Sequence, residues 1–318
     1  MVRIHKSLTR MDWLKEKIAR LEATTSEFKD SINEMLKIRP DVYNEFQNWT
    51  PLKLILLNYT LHFCTQIIKK SFFKRLYYVD LFAGSGINKM KATKDFLIGS
   101  PLIASLNHAD NYTEMLFCEN DVQRSEALDL RLKSLKKNNL VVMKRDCAEC
   151  LGEIIKKVER PKTYSLFFID PHSTEFSWSS MKKVLNVRSD IIFTFMSSEI
   201  WRAVGLVKKG GSKGTYLDDL YGDQSWQKAK NCDDLVCIYA ENVAKVRSGA
   251  IVRTIKIQSK RYNFCYHMIF ITNETKGGNP WIRALETAKE RIESNSDVAV
   301  KQALDILKKR QSELGDFQ

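Results

Sequence analysis

The sequence predicts an α/β fold: a mostly parallel seven-stranded sheet closed by an antiparallel hairpin, with a helical N-terminal extension in front of it. Three observations predict this. Short apolar runs alternate with helical segments from Leu76 to Met196. The last two runs, Ile251–Ile257 and Phe264–Thr272, follow each other after a short break. The first run ends at Asp80 and enters the turn Gly84-Ser85-Gly86.

Residues 1–72 read as the helical extension. Trp13, Leu14, Ile18 and Leu21 recur at helical spacing, and Phe28, Ile32 and Leu36 repeat the stripe until Pro40 ends it. Such a stripe is expected to pack on the core, rather than serve as a dimerising or substrate-binding arm. A further helix starts at Pro51, with Thr50 as its expected cap, and runs through Leu54, Leu57, Leu61, Phe63 and Ile67. It ends at Lys69 and Lys70, where cations complement the helix dipole.

The core is expected over 73–296. Leu76–Phe82, Glu114–Glu119, Leu140–Met143, Tyr164–Ile169 and Asp190–Met196 read as strands. Asp121–Lys137 and Cys147–Val158 read as helices between them. Strands separated by helices give a parallel sheet with right-handed crossovers. The final two runs lie too close in sequence for a parallel crossover, so they pair antiparallel. That ending suits a methyltransferase sheet, whereas a doubly wound NAD-binding sheet would end parallel. An insertion is expected near 197–248, with KKGGSKG at 208–214 as a basic loop. Its Lys208, Lys209 and Lys213 are candidate substrate contacts to phosphate. Residues 297–318 read as a C-terminal helical tail.

Lys and Arg number 51 against 38 Asp and Glu, a formal charge of +13. That surplus favours polyanions, and nucleic acid is the expected partner, RNA ahead of DNA. The start, MVRIHKSLTRMDWLKEK, carries no apolar signal core, and no stretch reaches the ~20 apolar residues of a membrane span. Seven scattered cysteines, an odd number, suggest reduced thiols. The expectation is a cytoplasmic protein with no membrane partner. Cys147 and Cys150 form a C-x-x-C that lacks a second ligand pair, so they read as buried thiols and no metal is expected. His62 and His267 lie in apolar contexts and read as core histidines.

Five places carry candidate chemistry. Gly84 and Gly86 let the backbone turn tightly and admit a ligand where a Cβ would clash. No third glycine completes a dinucleotide fingerprint, and Asp80 suits an ammonium group. The zwitterionic amino-acid end of S-adenosylmethionine fits that demand, with Phe82 in the same turn. Glu119, after the second strand, can hold two ribose hydroxyls, while Asp121 reads as a helix cap. Asp146 can accept from an adenine amino group or cap the helix at Cys147. Asp170-Pro171, after the fourth strand, aims a carboxylate and a carbonyl at an amino group on a planar base. His172 can stack on that base, take up a proton, or lie in the loop without a role.

Together these motifs resemble the three-Cys-motif partner family of methyltransferases. The likeness is carried by WTPLKLILLNY, VDLFAGSG, IGSPLIASL, CEND, FFIDPHSTEFSW, LYGDQSW and YHMIFITN, and spans about residues 49–296. It implies a Rossmann-like class I methyltransferase fold and S-adenosylmethionine as cofactor. It assigns Asp80, Gly84 and Gly86 to the cofactor loop, Glu119 to the ribose and Asp170-Pro171 to the acid–proline motif. It also implies a three-Cys-motif, radical-SAM-like partner protein. The family pattern has Phe-Gly after the acid–proline pair where this chain has His172-Ser173. The leading expectation is a methyltransferase acting on a base nitrogen of tRNA, rRNA or DNA. The alternatives are a regulatory partner on the same scaffold and a small-molecule or protein methyltransferase.

Overall fold

Three N-terminal helices fold onto one face of a seven-stranded sheet in the computed structural model. It describes residues 10–46, 48–90, 96–172, 174–211, 214–274, 279–293, 296–301 and 303. Helices α1 (Arg10–Glu27) and α2 (Lys29–Lys37) carry the predicted stripes, and Trp13, Leu14, Ile18, Ile32 and Met35 are buried. They share one hydrophobic cluster with Tyr78, Phe117, Phe168 and Phe270 of the sheet, so the stripes pack on the core as expected.

The extension is not wholly helical. Strand β1 (Asn44–Phe46) precedes α3 (Thr50–Lys69). Helix α3 is capped by Trp49, without a side-chain cap bond, so the expected cap Thr50 sits one position inside the helix. His62 is exposed on α3, contrary to its expected core position; among the described residues the buried histidines are His108 and His267. Its apolar sequence neighbours point to other faces of the helix.

Strand β2 (Arg75–Asp80) leads into the glycine turn, which returns as β3 (Ile87–Met90) and β4 (Phe96–Ile98). These two join β1 in a small sheet of order β1-β3-β4. Nothing in the apolar pattern announced it, because its strands are three or four residues long. Helix α4 (Ser100–His108) follows. Then come β5 (Glu114–Cys118), α5 (Val122–Lys133), β6 (Leu140–Met143), α6 (Cys147–Val158), β7 (Thr163–Ile169), α7 (Trp178–Leu185) and β8 (Ser189–Phe195). Helix α5 ends four residues before its predicted Lys137, and Lys136 takes a left-handed φ of 53° that a helix cannot continue.

The stretch from 197 to 248 holds α8 (Ser197–Lys208), α9 (Gly214–Tyr221) and α10 (Cys232–Val246). Strands β9 (Ala250–Ser259) and β10 (Phe264–Asn273) and helix α11 (Pro280–Glu293) complete the described elements. The large sheet has the order β6-β5-β2-β7-β8-β10-β9. All pairs from β6 to β8 are parallel, while β10 is antiparallel to both neighbours. Both faces are covered: Tyr78 and Phe168 point into one cluster, Val79, Phe167 and Ile169 into the other. Double burial is why the central strands read as unbroken apolar runs. No helix among the described residues is long and apolar enough to cross a membrane.

Candidate active site

The strand order reverses between β2 and β7, since β5 and β6 lie on one side and β8 on the other. Ligand crevices of open parallel sheets form at such a reversal, beyond the carboxyl ends of the strands. Asp80 pairs in register with Phe168, so the loops after Asp80 and Ile169 leave the sheet side by side. They open into a cleft of about 750 Å³. Phe82, Gly84, Gly86, Glu119, Asp146, Asp170, Pro171 and His172 all line it.

The glycine turn is held from three directions. Leu81 N–H donates to Phe168 O at 3.1 Å and Ala83 N–H to Cys118 O at 2.9 Å. Gly84 N–H donates to Glu119 Oε2 at 2.8 Å, and Ser85 N–H to Asn44 Oδ1 at 2.9 Å. Gly84 has φ +64°, and a Cβ there would lie 2.2 Å from Asn44 Nδ2. The turn therefore needs glycine for both backbone and space. Beneath it, buried Arg131 donates to Ser85 O at 2.7 Å, and to Ile38 O, Arg39 O and Val42 O at 3.0, 2.9 and 2.8 Å. One guanidinium thus ties the segment before β1 to the turn.

Asp80 is fully buried at the end of β2 and does not itself line the cleft, whereas Leu81 and Phe82, which follow it, do. Its Oδ1 accepts from Phe82 N–H at 3.2 Å, and its Oδ2 lacks a partner in good hydrogen-bond geometry. Burial pushes its pKa up to about 7, against the pull of Ser100 and the Phe82 N–H, with the charges of Asp170 and Glu119 adding to the rise. A buried carboxyl with an orphaned oxygen fits an ammonium partner. Glu119 is fixed at both oxygens, since Oε1 also accepts from Asp121 N–H at 2.9 Å. Each oxygen keeps a second lone pair for a hydroxyl. Asp121 caps α5 through Arg124 N–H at 2.8 Å, as expected. Asp146 caps α6 through Ala148 N–H at 2.8 Å and also lines the cleft, so both of its expected jobs are open to it. The orphaned oxygen and the fixed Glu119 together fit S-adenosylmethionine.

On the β7 side, Asp170 is held by Lys53. Lys53 Nζ lies 2.5 Å from Asp170 Oδ2, with the two side chains 11% and 19% exposed. The pair joins α3 to the β7 loop and leaves Oδ1 to the cleft. His172 is exposed and its N–H donates to Glu175 Oε2 at 3.2 Å; Ser173 lies outside the described residues. Trp49 lines the same cleft, its ring edge-on to Phe264 at 5.5 Å. Among the lining residues Glu45, Glu119, Asp146, Asp170, Glu175 and Glu199 are acidic, against basic Lys53, Arg124 and Arg145. A cationic ligand is favoured inside an otherwise basic protein.

Sequence reasoning missed Lys53 and Trp49. Lys53 left a signal: it is the single charge in the run WTPLKLILLNY. Asn44 and Arg145 left none. Lys208 and Lys209 end and cap α8, and Lys208 Nζ reaches Ala229 O at 3.4 Å. Neither lines the cleft, and Lys213 lies outside the described residues. Cys147 and Cys150 are buried free thiols, and no metal-binding group of side chains occurs among the described residues. Ser197 Oγ lies 2.6 Å from His267 Nδ1, and His267 Nε2 3.3 Å from Asp233 Oδ1. Ser197 and His267 are buried away from the cleft lining, burial pushes the imidazole pKa down, and the trio links α8, α10 and β10.

No family model matches the chain, and no curated protein matches it. Solved structures do. A protein of Legionella pneumophila is 14% identical, covering 76% of this chain and 92% of its own, with a TM-score of 0.49. An O-methyltransferase of Bacillus cereus in complex with SAH is 8% identical, covering 81% and 100%, with a TM-score of 0.45. An rRNA methylase of Streptococcus thermophilus is 10% identical, covering 67% and 95%, with a TM-score of 0.34. At these values the likeness carries no argument about cofactor, substrate or residue roles.

Proposed function

We propose that the protein is an S-adenosylmethionine-dependent methyltransferase acting on a base nitrogen of nucleic acid, RNA ahead of DNA. One observation carries the reading: the Asp80 glycine turn and the Asp170-Pro171 loop open side by side into one acidic cleft at the strand-order reversal. S-adenosylmethionine, when bound, supplies an electrophilic methyl group. The remaining work belongs to the chain. Gly84 and Gly86 let the turn close against Asn44, Leu102 and Leu128 beside the ligand, Asp80 Oδ2 receives its ammonium group, and Glu119 takes the ribose hydroxyls. Asp170, steadied by Lys53, accepts an N–H from the base amino group at Oδ1 and turns its lone pair toward the methyl group. Positioning of this kind removes several kcal/mol from a barrier. Trp49 offers an aromatic wall to a planar base.

The formal charge of +13 supports a polyanionic substrate. The finer proposals, membership of the three-Cys-motif partner family, a radical-SAM-like partner protein and a cytoplasmic location, rest on the sequence motifs alone. Purified protein should bind S-adenosylmethionine and transfer labelled methyl to total tRNA, rRNA or DNA. Cofactor binding without transfer to any of them would overturn the nucleic-acid reading. A second reading, a regulatory protein on this scaffold, is favoured by the Lys53–Asp170 pair, which already neutralises the motif acid.

A further inference from the structure

We infer that the edge of the sheet opposite the cleft is a stacking platform for single-stranded polynucleotide. The inference shares only the class of polymer with the proposed function and stands on separate residues. The segment Lys69-Lys70-Ser71-Phe72-Phe73-Lys74-Arg75 joins α3 to β2. Phe72 is 71% exposed, more than any other large apolar side chain among the described residues. It is not a loose ring. Its centroid lies 4.4 Å from that of Phe73 at 33°, and Phe73 lies 4.7 Å from Tyr164 at 41°. Tyr164 is anchored in turn, its hydroxyl donating to Asp190 at 2.8 Å. A chain of three rings in tilted contact thus holds Phe72, whose ring is largely open to solvent.

Cations share the segment of Phe72 and the loop to which that segment is tied. Lys74 N–H and Arg75 N–H both donate to Lys162 O, at 2.8 and 3.2 Å, which laces the aromatic segment to the loop before β7. Arg160, Lys162 and Arg188 line a hollow of about 390 Å³ beside it, where Glu159 is the lone acid in the lining. Thr163 Oγ1, in the same wall, is buried without a partner. Among the described residues no ion pair engages Lys69, Lys70, Lys74, Arg160, Lys162 or Arg188. Uncommitted cations flanking an exposed flat ring are what a single strand needs: phosphates meet the charges and a base stacks on the ring. A membrane surface would need several apolar side chains projecting together, whereas here one ring projects beside a concave hollow. The platform sits at the amino ends of β2 and β7 and the cleft at their carboxyl ends, about 20 Å away along six or seven residues of strand. A strand touching both must wrap the sheet or fold back.

The test is fluorescence anisotropy of the full chain with a labelled 12-residue oligouridylate and oligothymidylate, at low and moderate salt. Phe72→Ala should weaken binding about tenfold, and Phe72→Trp should restore it. Lys162→Glu should weaken it and flatten the salt slope. Leu130→Ala, which trims another exposed apolar side chain, on α5, should bind as the parent does. Unchanged affinity in Phe72→Ala, or no binding by the parent, overturns the platform and leaves methyl transfer to nucleic acid standing. Phe72-dependent binding without methyl transfer keeps the platform and removes the proposed function. Phe72-dependent attachment to phosphatidylserine vesicles with no oligonucleotide binding overturns it in favour of a lipid surface.

Discussion

Lys53 Nζ sits 2.5 Å from Asp170 Oδ2, so a helix before the core supplies the counter-charge for the acid of the candidate acceptor loop. The contact joins residues 117 positions apart. It gives α3 a part in the site, beyond covering the sheet.

Removal of either partner should separate chemistry from cofactor binding. Asp170→Ala is expected to abolish methyl transfer while S-adenosylmethionine affinity, measured by calorimetry, stays within about twofold, because the role proposed for Asp170 is on the acceptor side. Lys53→Met should slow transfer roughly a hundredfold with similar cofactor affinity, since it leaves Asp170 unpaired and free to swing. Equal loss of cofactor binding in either variant would show that this pair belongs to the cofactor half of the cleft.

The proposed ammonium role of Asp80 makes cofactor binding depend on pH. Its pKa in the folded free protein is raised from 3.8 to about 7. A carboxyl raised in this way contributes fully to stability only below its unfolded pKa, and the contribution is lost as pH climbs through about 7. An ammonium ligand prefers the ionised form, so S-adenosylmethionine affinity should rise with pH up to about 7 and then level off. Asp80→Asn should raise the Tm of the free protein by about 3–6 °C at pH 8, and hardly at pH 4. The same change should weaken cofactor binding at least tenfold at pH 8. A flat pH profile in the parent would remove Asp80 from the ammonium role.

The glycine turn tolerates no side chain at its tightest point. Gly84→Ala puts a Cβ within 2.2 Å of Asn44 Nδ2 and strains a φ of +64°. The expected cost is roughly 1–3 kcal/mol, with loss of detectable cofactor binding. Combining it with Asn44→Ala relieves the clash but not the backbone, so partial recovery is expected. Full recovery would mean that space alone, not φ, demands glycine.

Arg131 is the clamp under that turn. Arg131→Met strips hydrogen bonds from Ser85 O, Ile38 O, Arg39 O and Val42 O together. Destabilisation of roughly 3–5 kcal/mol is expected, since several buried carbonyls lose their donor at once. Hydrogen exchange should rise first at residues 38–46 and 84–88. Protection unchanged there would show that the packing of α2, not the guanidinium, holds the segment.

The sequence by itself determined the large sheet and where on it Asp80, Gly84, Gly86 and Glu119 stand. Cys147–Val158 and Leu140–Met143 fall at their predicted ends, and the hairpin of β9 and β10 closes antiparallel as its short connection requires. Asp80, Gly84, Gly86 and Glu119 were legible because each sits at a strand end or a turn, where local spacing places it on the carboxyl edge. Only the tertiary structure decided what meets them. Lys53, Asn44 and Arg131 reach the site from distant segments, and their contacts depend on α3 docking at the loop after β7 and on β1 and α5 docking against the turn. It also decided that Lys208 and Lys209 lie off the cleft and that Phe72 is turned outward on two other rings. Local pattern specifies an element and the edge it ends on. Which side chains converge there is set by packing between elements, and that carries no periodicity to read.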